Sequence, residues 1–348
     1  MKILKKILGI IVFFGIGVGL FVSISYMLRP TNNDFFRKDF TGFYAEKEDS
    51  IDVVALGSSA LYRYFNNPYL WSECGITSYD LATASQSVFL TGDLIDEIYK
   101  TQSPDLIVIE VRKFPDTETK TTNSKRFPMV YNNMKYSLNR IQLINSVVDE
   151  WPERIDAYFD IITYHDSWEE FSYENLKYID NESAHDLKGW KIVGEVESIE
   201  RPVIDTDETA SPIPKEAEKA LIQILEKCKR EKIPVLFLAT PWQLPIDEQK
   251  MNRYMGNLIE EYGFQFLDCN LYLDEIGLDF DKDFYDPKHV NIVGSEKVTK
   301  FIGDYIKENY NISTAHEEDV KKDWNQMLEL YHTRANDAKA QVKAKTAE

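Results

Sequence analysis

Two short segments far apart in the chain carry residue types that do chemistry together: Gly57-Ser58-Ser59 near the start and Asp286-Pro-Lys-His289 near the end. A serine hydroxyl becomes a nucleophile when a neutral imidazole takes its proton, and that imidazole works best when a carboxylate fixes its tautomer and orientation. An Asp-x-x-His turn supplies both helpers. The serine needs a separate perch, and the run Val53-Val54-Ala55-Leu56 provides one by reading as a buried strand that breaks at Gly57 into a helical pattern. Ser59 then stands at a helix N-terminus, beside free backbone N–H groups. Each segment alone has an ordinary explanation, because serine is a preferred N-cap and Asp-Pro begins many surface turns. Their order joins them: the serine follows the first strand expected of the soluble part, and the Asp/His pair precedes its last well-marked core helix.

The elements that must position these residues alternate as a parallel sheet requires. Strands are expected at Asp52–Leu56, Thr77–Leu81, Leu106–Val111, Pro234–Ala239 and Gln265–Leu267, with helices near 61–70, 87–100, 214–231, 247–262 and 293–308. Five strands suffice for an α/β fold of the flavodoxin-like, three-layer α/β/α sandwich type. In open sheets of this kind ligands bind beyond the carboxyl ends of the strands, and Ser59 falls at such an end. Residues 115–212 interrupt the rhythm with a polar start, a helical stretch around 139–162 and a segment rich in Asp, Glu and Pro. A break of that length reads as an inserted lid or substrate-binding subdomain, mostly helical. The tail, 311–348, is charged and helical in composition; its sparse apolar face of Trp324, Met327, Leu328, Leu330 and Tyr331 is expected to pack one stripe and then fray. No internal repeat is found.

The first residues bear on compartment. A basic stub, 1–6, holds Lys2, Lys5 and Lys6, and 7–28 is an uncharged, largely apolar run long enough to cross a bilayer as a helix. Positive residues stay inside, which predicts a single-pass cell-membrane protein with a cytoplasmic N-terminus and an extracellular domain. A cleaved signal peptide is the competing reading, but the apolar stretch is long and Val22-Ser23-Ile24-Ser25-Tyr26 offers no good small-residue cleavage site. Gly15-x-x-x-Gly19 is a helix-packing face or an incidental pair. Residues 29–49 read as a juxtamembrane linker, followed by a catalytic domain of 50–114 and 213–310.

Composition agrees with an external catalytic domain. Of 348 residues 43% are hydrophobic, enough for one large core with an insertion. A net charge of −18 argues against nucleic acid and against direct docking on anionic headgroups. Cys74, Cys228 and Cys269 are too few and too scattered for a disulfide framework, and no metal-ligand spacing occurs, so neither metal nor cofactor is expected.

The order and identity of the two segments resemble the SGNH (GDSL-type) hydrolase superfamily, whose first block is Gly-Asp-Ser after strand one and whose last is Asp-x-x-His. Within it the chain is most similar to a membrane-anchored bacterial branch associated with cell-surface polysaccharides, which includes D-alanyl-lipoteichoic acid biosynthesis proteins. The segments that carry the resemblance are Val53 to Arg63 and Asp283 to Asn291, and it covers about residues 50–112 and 233–308. It implies Ser59 as nucleophile, His289 as general base and acid, and Asp286 as the carboxylate that orients it. Ser58 takes the place of the Asp in Gly-Asp-Ser and is the alternative nucleophile; Asp283 is the alternative orienter. The Ser59 N–H is implied as one oxyanion donor.

The remaining blocks depart from the pattern. Where the superfamily has a glycine after strand two, this chain has Leu81-Ala82-Thr83-Ala84-Ser85-Gln86, so Ala82, Ala84 and Gln86 are candidates to line the oxyanion site. Where it has an asparagine after strand three, Glu110-Val111-Arg112 has none; Arg112 either substitutes as a positive oxyanion stabiliser or forms a structural ion pair. Trp242, after the fourth strand, lines the cleft or covers the core. Tyr164, His165 and Trp168 combine a titratable ring with aromatics suited to stacking on a sugar, against the plainer reading that His165 caps a helix end. His185, His316 and His332 read as solvated.

These expectations converge on an extracytoplasmic serine esterase or O-acyltransferase acting on O-acetyl or D-alanyl esters of a cell-surface or teichoic-acid-like glycan. By resemblance its partner is a polytopic membrane O-acyltransferase. The alternative is a catalytically inactive glycan-binding or scaffolding protein that keeps the fold.

Overall fold

The five expected strands are present, each within a residue of its expected ends: β1 Val53–Gly57, β2 Ser78–Ala82, β3 Leu106–Glu110, β4 Val235–Ala239 and β5 Gln265–Asp268. In the computed structural model, which describes residues 2–29, 35–115 and 125–347, they form one parallel sheet in the order β2-β1-β3-β4-β5. The central strands are apolar at nearly every position because both faces are covered. Val54, Leu56, Ile107, Ile109 and Phe237 join one buried cluster; Val53, Ala55, Val108, Leu236 and Leu238 join the other.

The helices, in chain order, are α1 Lys2–Leu28, α2 Phe35–Ala45, α3 Ser59–Tyr62, α4 Asn67–Cys74, α5 Thr91–Ile98, α6 Pro128–Tyr131, α7 Leu138–Val147, α8 Trp151–Tyr158, α9 Asp160–Thr163, α10 Lys215–Glu231, α11 Ile246–Glu261, α12 Leu273–Ile276, α13 Ile292–Asn309 and α14 Glu318–Thr346. Helices α5, α10 and α11 supply Leu94, Ile95, Leu221, Ile224, Met255 and Ile259 to the first cluster, whereas α4 and α13 supply Leu70, Val298, Ile302 and Ile306 to the second. A hairpin of β6 Phe284–Asp286 and β7 His289–Val290 stands apart from the main sheet.

Three regions differ from the sequence expectation. The segment read as a juxtamembrane linker contains α2, whose Phe40 and Phe43 are wholly buried. Its charged residues concealed that: Arg37 donates to the Tyr26 and Arg29 carbonyls, both at 2.6 Å, and Asp39 accepts from Lys191 at 2.7 Å. The helical stretch of the insertion is broken into α7, α8 and α9: Pro152 disfavours helical geometry just before it and begins α8 as a new helix, and the chain leaves helical geometry again at Phe159 before α9. The tail stays helical to Thr346, with one stripe from Val320 and Trp324 through Tyr331 to Val342 buried at three- and four-residue spacing.

The last part of the insertion is a strap laid along the domain. Lys188 O accepts from Asp80 N at 3.0 Å, Lys191 N donates to Tyr62 O at 2.9 Å and Val193 O accepts from Ile292 N at 2.8 Å. Gly189 makes this approach possible: its φ is +87°, and a Cβ there would lie 2.2 Å from the Asp80 carbonyl oxygen. Gly263 has a similar φ of +89° with nothing near a Cβ. Gly263→Ala should therefore cost about 1 kcal/mol from backbone strain alone, and Gly189→Ala clearly more. Denaturant unfolding of the two detergent-solubilised variants checks the difference; equal losses would show that the strap yields at no cost.

Candidate active site

The two chemically suggestive segments meet at the carboxyl edge of the sheet. Ser59 opens α3 immediately after β1, and its Oγ lies 2.8 Å from His289 Nε2. His289 Nδ1 lies 3.0 and 2.9 Å from the two Asp286 carboxylate oxygens. This arrangement fixes Nδ1 as the protonated nitrogen and leaves Nε2 as the acceptor for the serine proton. Gly57 is the residue that lets the chain turn here, since a Cβ would sit 2.7 Å from Glu110 Cβ.

The open choices of the sequence reading are resolved by hydrogen bonding. Ser58 is buried as the N-cap of α3: its Oγ accepts from Ala60 N at 3.2 Å and donates to Glu110 Oε2 at 3.3 Å, so it points away from the imidazole. Asp283 accepts from Asp279 N at 2.7 Å and pairs with Lys297 at 2.6 Å, which commits it to the base of the turn. Asp286 alone orients His289.

Arg112 makes no ion pair with Glu110; its backbone N–H donates to Glu110 Oε1 at 2.8 Å, while its guanidinium reaches over the sheet edge. Nη1 donates to the Lys288 carbonyl at 2.9 Å, the same oxygen that Tyr64 OH reaches at 2.8 Å. Nη2 is buried with no hydrogen-bond partner among the described residues. The guanidinium lies 5.3 Å from the Trp242 ring centre and 5.5 Å from that of Tyr64. Trp242 is thus buried behind Arg112, backing the site.

Of the oxyanion candidates after strand two, Ala82 is enclosed in β2 and Gln86 is turned onto its own loop, its Oε1 accepting from Thr83 Oγ1 at 3.2 Å. Thr83 N reaches the Gly57 carbonyl at 3.3 Å, which holds the loop beside the serine turn. Ala84 and Ser85 form its tip, half-buried, with Ser85 at a φ of +48° where a glycine is commoner. The Ala84 and Ser85 N–H groups are accordingly the loop's candidates for an oxyanion.

Two residues the sequence reading missed stand beside the triad. The Tyr285 ring stacks on His289 at 5.6 Å and 13°. Tyr62 stands one turn of α3 beyond the serine, close enough for the Ser59 side chain to oppose the burial that pushes its phenol up to about 12. The only signals were their positions, next to Asp286 and three residues after Ser59. Beyond Tyr285 opens a cavity of about 1600 Å³ whose lining includes Tyr285, Arg63, Trp190, Tyr178, Asn132 and Tyr164. Tyr164 therefore faces this cavity, its OH accepting from Asn132 Nδ2 at 2.9 Å. Neither of its expected companions does. His165 is exposed, with Nδ1 2.8 Å from the Ile162 carbonyl at a helix end, and Trp168 is 65% exposed. His185 and His316 are not solvated; His185 is held by Asp39 at 3.2 Å and His316 by Gly75 O at 2.9 Å.

Electrostatics set the imidazole as a base. Burial is the main force that lowers the His289 pKa below its ordinary value; Asp286 opposes it, and Arg112 and Arg63 lower it further. Burial alone would lift Asp286, but the hydrogen bond and charge of His289 and the Lys288 N–H together hold its carboxyl below the usual range. A comparison with models of protein families finds no match, and a comparison with curated proteins finds none either.

Because burial and the two arginines favour the neutral ring, His289 should titrate below an unperturbed imidazole. Removing a cation that disfavours imidazolium moves the titration upward, so Arg112→Met should raise the His289 pKa. NMR titration of the ring checks this; an unchanged or lower value would place Arg112 outside the site's electrostatics.

Proposed function

We propose that the protein is a serine esterase or O-acyltransferase of SGNH type, with a three-layer α/β/α catalytic domain held outside the cytoplasm by α1, and that it acts on acyl esters of a cell-surface polysaccharide. The observation that carries this reading is the Ser59–His289–Asp286 hydrogen-bonded series, assembled from segments 230 residues apart at the strand ends where such folds bind ligands. Serine surrounded by that series and by N–H donors is equipped for acyl transfer rather than for binding alone.

In the first half-reaction His289 Nε2 takes the Ser59 proton as Oγ attacks the ester carbonyl carbon. The tetrahedral oxyanion is met by the Ser59 N–H, by the loop after β2 and by the charge of Arg112, whose guanidinium stands where the superfamily's asparagine is missing. Imidazolium then protonates the departing alkoxide, the C–O bond breaks and acyl-Ser59 remains. In the second half-reaction His289 deprotonates water or an acceptor hydroxyl as its oxygen attacks the acyl carbon; the acyl C–Oγ bond then breaks and the imidazolium returns the proton to Ser59 Oγ. The transferred group on this reading is acetyl, with D-alanyl as the second choice.

The cavity beyond Tyr285 supports a carbohydrate: the half-buried Tyr164 offers a ring for stacking, and Asn132, Asn133 and Arg63 offer hydrogen bonds to hydroxyls. For location, Ile3–Leu28 is long and apolar enough to cross a membrane, and Lys5 and Lys6 at its start set the orientation. A polytopic membrane O-acyltransferase as acyl donor remains an argument by resemblance.

Ser59→Ala and His289→Ala should each abolish fluorophosphonate labelling of the purified protein and esterase activity on aryl acetates, whereas Ser58→Ala should still be labelled. Asp286→Asn should lower kcat by on the order of 10²–10⁴-fold, since it misorients the base without removing it. A cellular glycan-acylation phenotype that survives the folded Ser59→Ala, Ser58→Ala double variant would decide for a scaffold. Protease added to intact protoplasts should degrade the domain; full protection refutes the orientation.

A further inference from the structure

Helix α1 and the insertion share a surface that the catalytic site does not use. From Ile3 to Leu20 the helix is exposed on every side, a length of about 27 Å at the α-helical rise. From Phe21 onward, Ile24 excepted, it is packed. The Phe21 ring lies 6.1 Å from Phe159 and 6.2 Å from Tyr136, and Tyr26 lies 5.4 Å from Tyr136. The last carbonyls of the helix are claimed by the domain, Met27 O by Asn175 Nδ2 at 2.8 Å and Tyr26 O by Arg37.

Around this junction the insertion exposes Trp151 (63%), Phe159, Ile162, Trp168 (65%), Tyr173 (91%) and Ile179. They lie in, or immediately after, α8, α9 and two 3₁₀ turns, His165–Glu170 and Tyr173–Tyr178; α9 and both turns pack on α1, and α8 packs on α9. Single exposed apolar residues need no explanation, but this many large ones gathered at the foot of an apolar helix do.

We propose that this collar is seated in the outer lipid interface, so that α1 and the insertion enter the bilayer surface together. The proposal rests on the reading of α1 as a membrane anchor. With Lys5 and Lys6 at one face, a hydrocarbon core of about 30 Å takes up about 20 residues and ends near Tyr26, so the collar, which meets the helix from Phe21 onward, lies at the outer margin of that core. Trp and Tyr are the residues that such an interface favours, because the ring is apolar and its N–H or O–H stays wet. Charge attraction does not drive the contact, since residues 149–174 hold many more acidic than basic side chains. Apolar burial does. Arg29, at the foot of α1, also lines the cavity beyond Tyr285, so one wall of the cavity lies at the level where the helix leaves the bilayer.

The test uses the full-length chain in phosphatidylcholine nanodiscs, compared with discs of the same lipid brominated at shallow acyl positions. Of the six tryptophans, Trp190, Trp242 and Trp324 are buried, and Trp71 stacks on Trp324 under the tail helix. Bromolipid should quench the wild-type emission, and Trp151→Phe/Trp168→Phe should lose most of that quenching while Trp71→Phe keeps it. Quenching unchanged in the double variant overturns the proposal. So does a chain that stays with the discs yet shows no quenching, which leaves the collar to a partner protein and the anchor reading intact. A chain that does not stay with the discs defeats the anchor reading, and the seat with it.

Discussion

A line of hydrogen bonds crosses the carboxyl edge of the sheet, from Ser58 to the buried Glu110 carboxylate, from Glu110 to the Arg112 backbone, and from the Arg112 guanidinium to the Lys288 carbonyl. It ties the ends of β1 and β3 to the turn that carries Asp286 and His289, and so sets the separation of Ser59 and His289. Glu110 is buried, and desolvation raises its pKa against the pull of Arg112 and of its two donors. A buried acceptor of this kind is costly unless every oxygen is used, and here both are. Tyr64 adds a second donor to the Lys288 carbonyl and Gln243 N caps Pro287 O, so the turn has little freedom to carry His289 away from Ser59.

The strap from the insertion is secured in another way. Asp39 on α2 accepts from Lys191 and faces His185, whose Nδ1 accepts from the N–H groups of Leu187 and Gly189. That use of Nδ1 places the His185 proton on Nε2, toward Asp39. Burial lowers the Lys191 pKa against the opposing pull of Asp39, and nearby Asp80 is pushed well above the carboxylate range by its complete burial. These groups stitch chain to chain beneath the cavity and leave the proton chemistry to His289.

Much of the sheet and of the triad was legible because both are local signals. Val53 to Leu56 is an unbroken apolar run ending in glycine, and Asp286-Pro-Lys-His289 places its two helpers within one turn. What stayed hidden depends on partners far along the chain. The role of Arg112 is set by a carbonyl 176 residues away, and Arg37 and Asp39 made α2 look like a solvated linker because the groups that satisfy them lie in α1 and in the strap. Tyr164, His165 and Trp168 stood together in sequence, yet a 3₁₀ turn at His165–Glu170 sends Tyr164 to the cavity and leaves its neighbours outside. Periodicity reads one element at a time and is blind to such pairings.

The closure of the end of α1 by Arg37, Asn175 and Tyr136 has a kinetic meaning. An enzyme on a slack tether sweeps a hemisphere and meets soluble molecules from any direction. With the end of the helix bonded into the domain, on the reading that α1 crosses the membrane, the mouth of the cavity keeps one height and one bearing relative to the lipid. On the proposed acyl-transfer function, encounter then becomes a search in two dimensions, in which lateral diffusion and the length of an acceptor's own stalk, more than bulk concentration, decide which hydroxyls come within reach of Ser59.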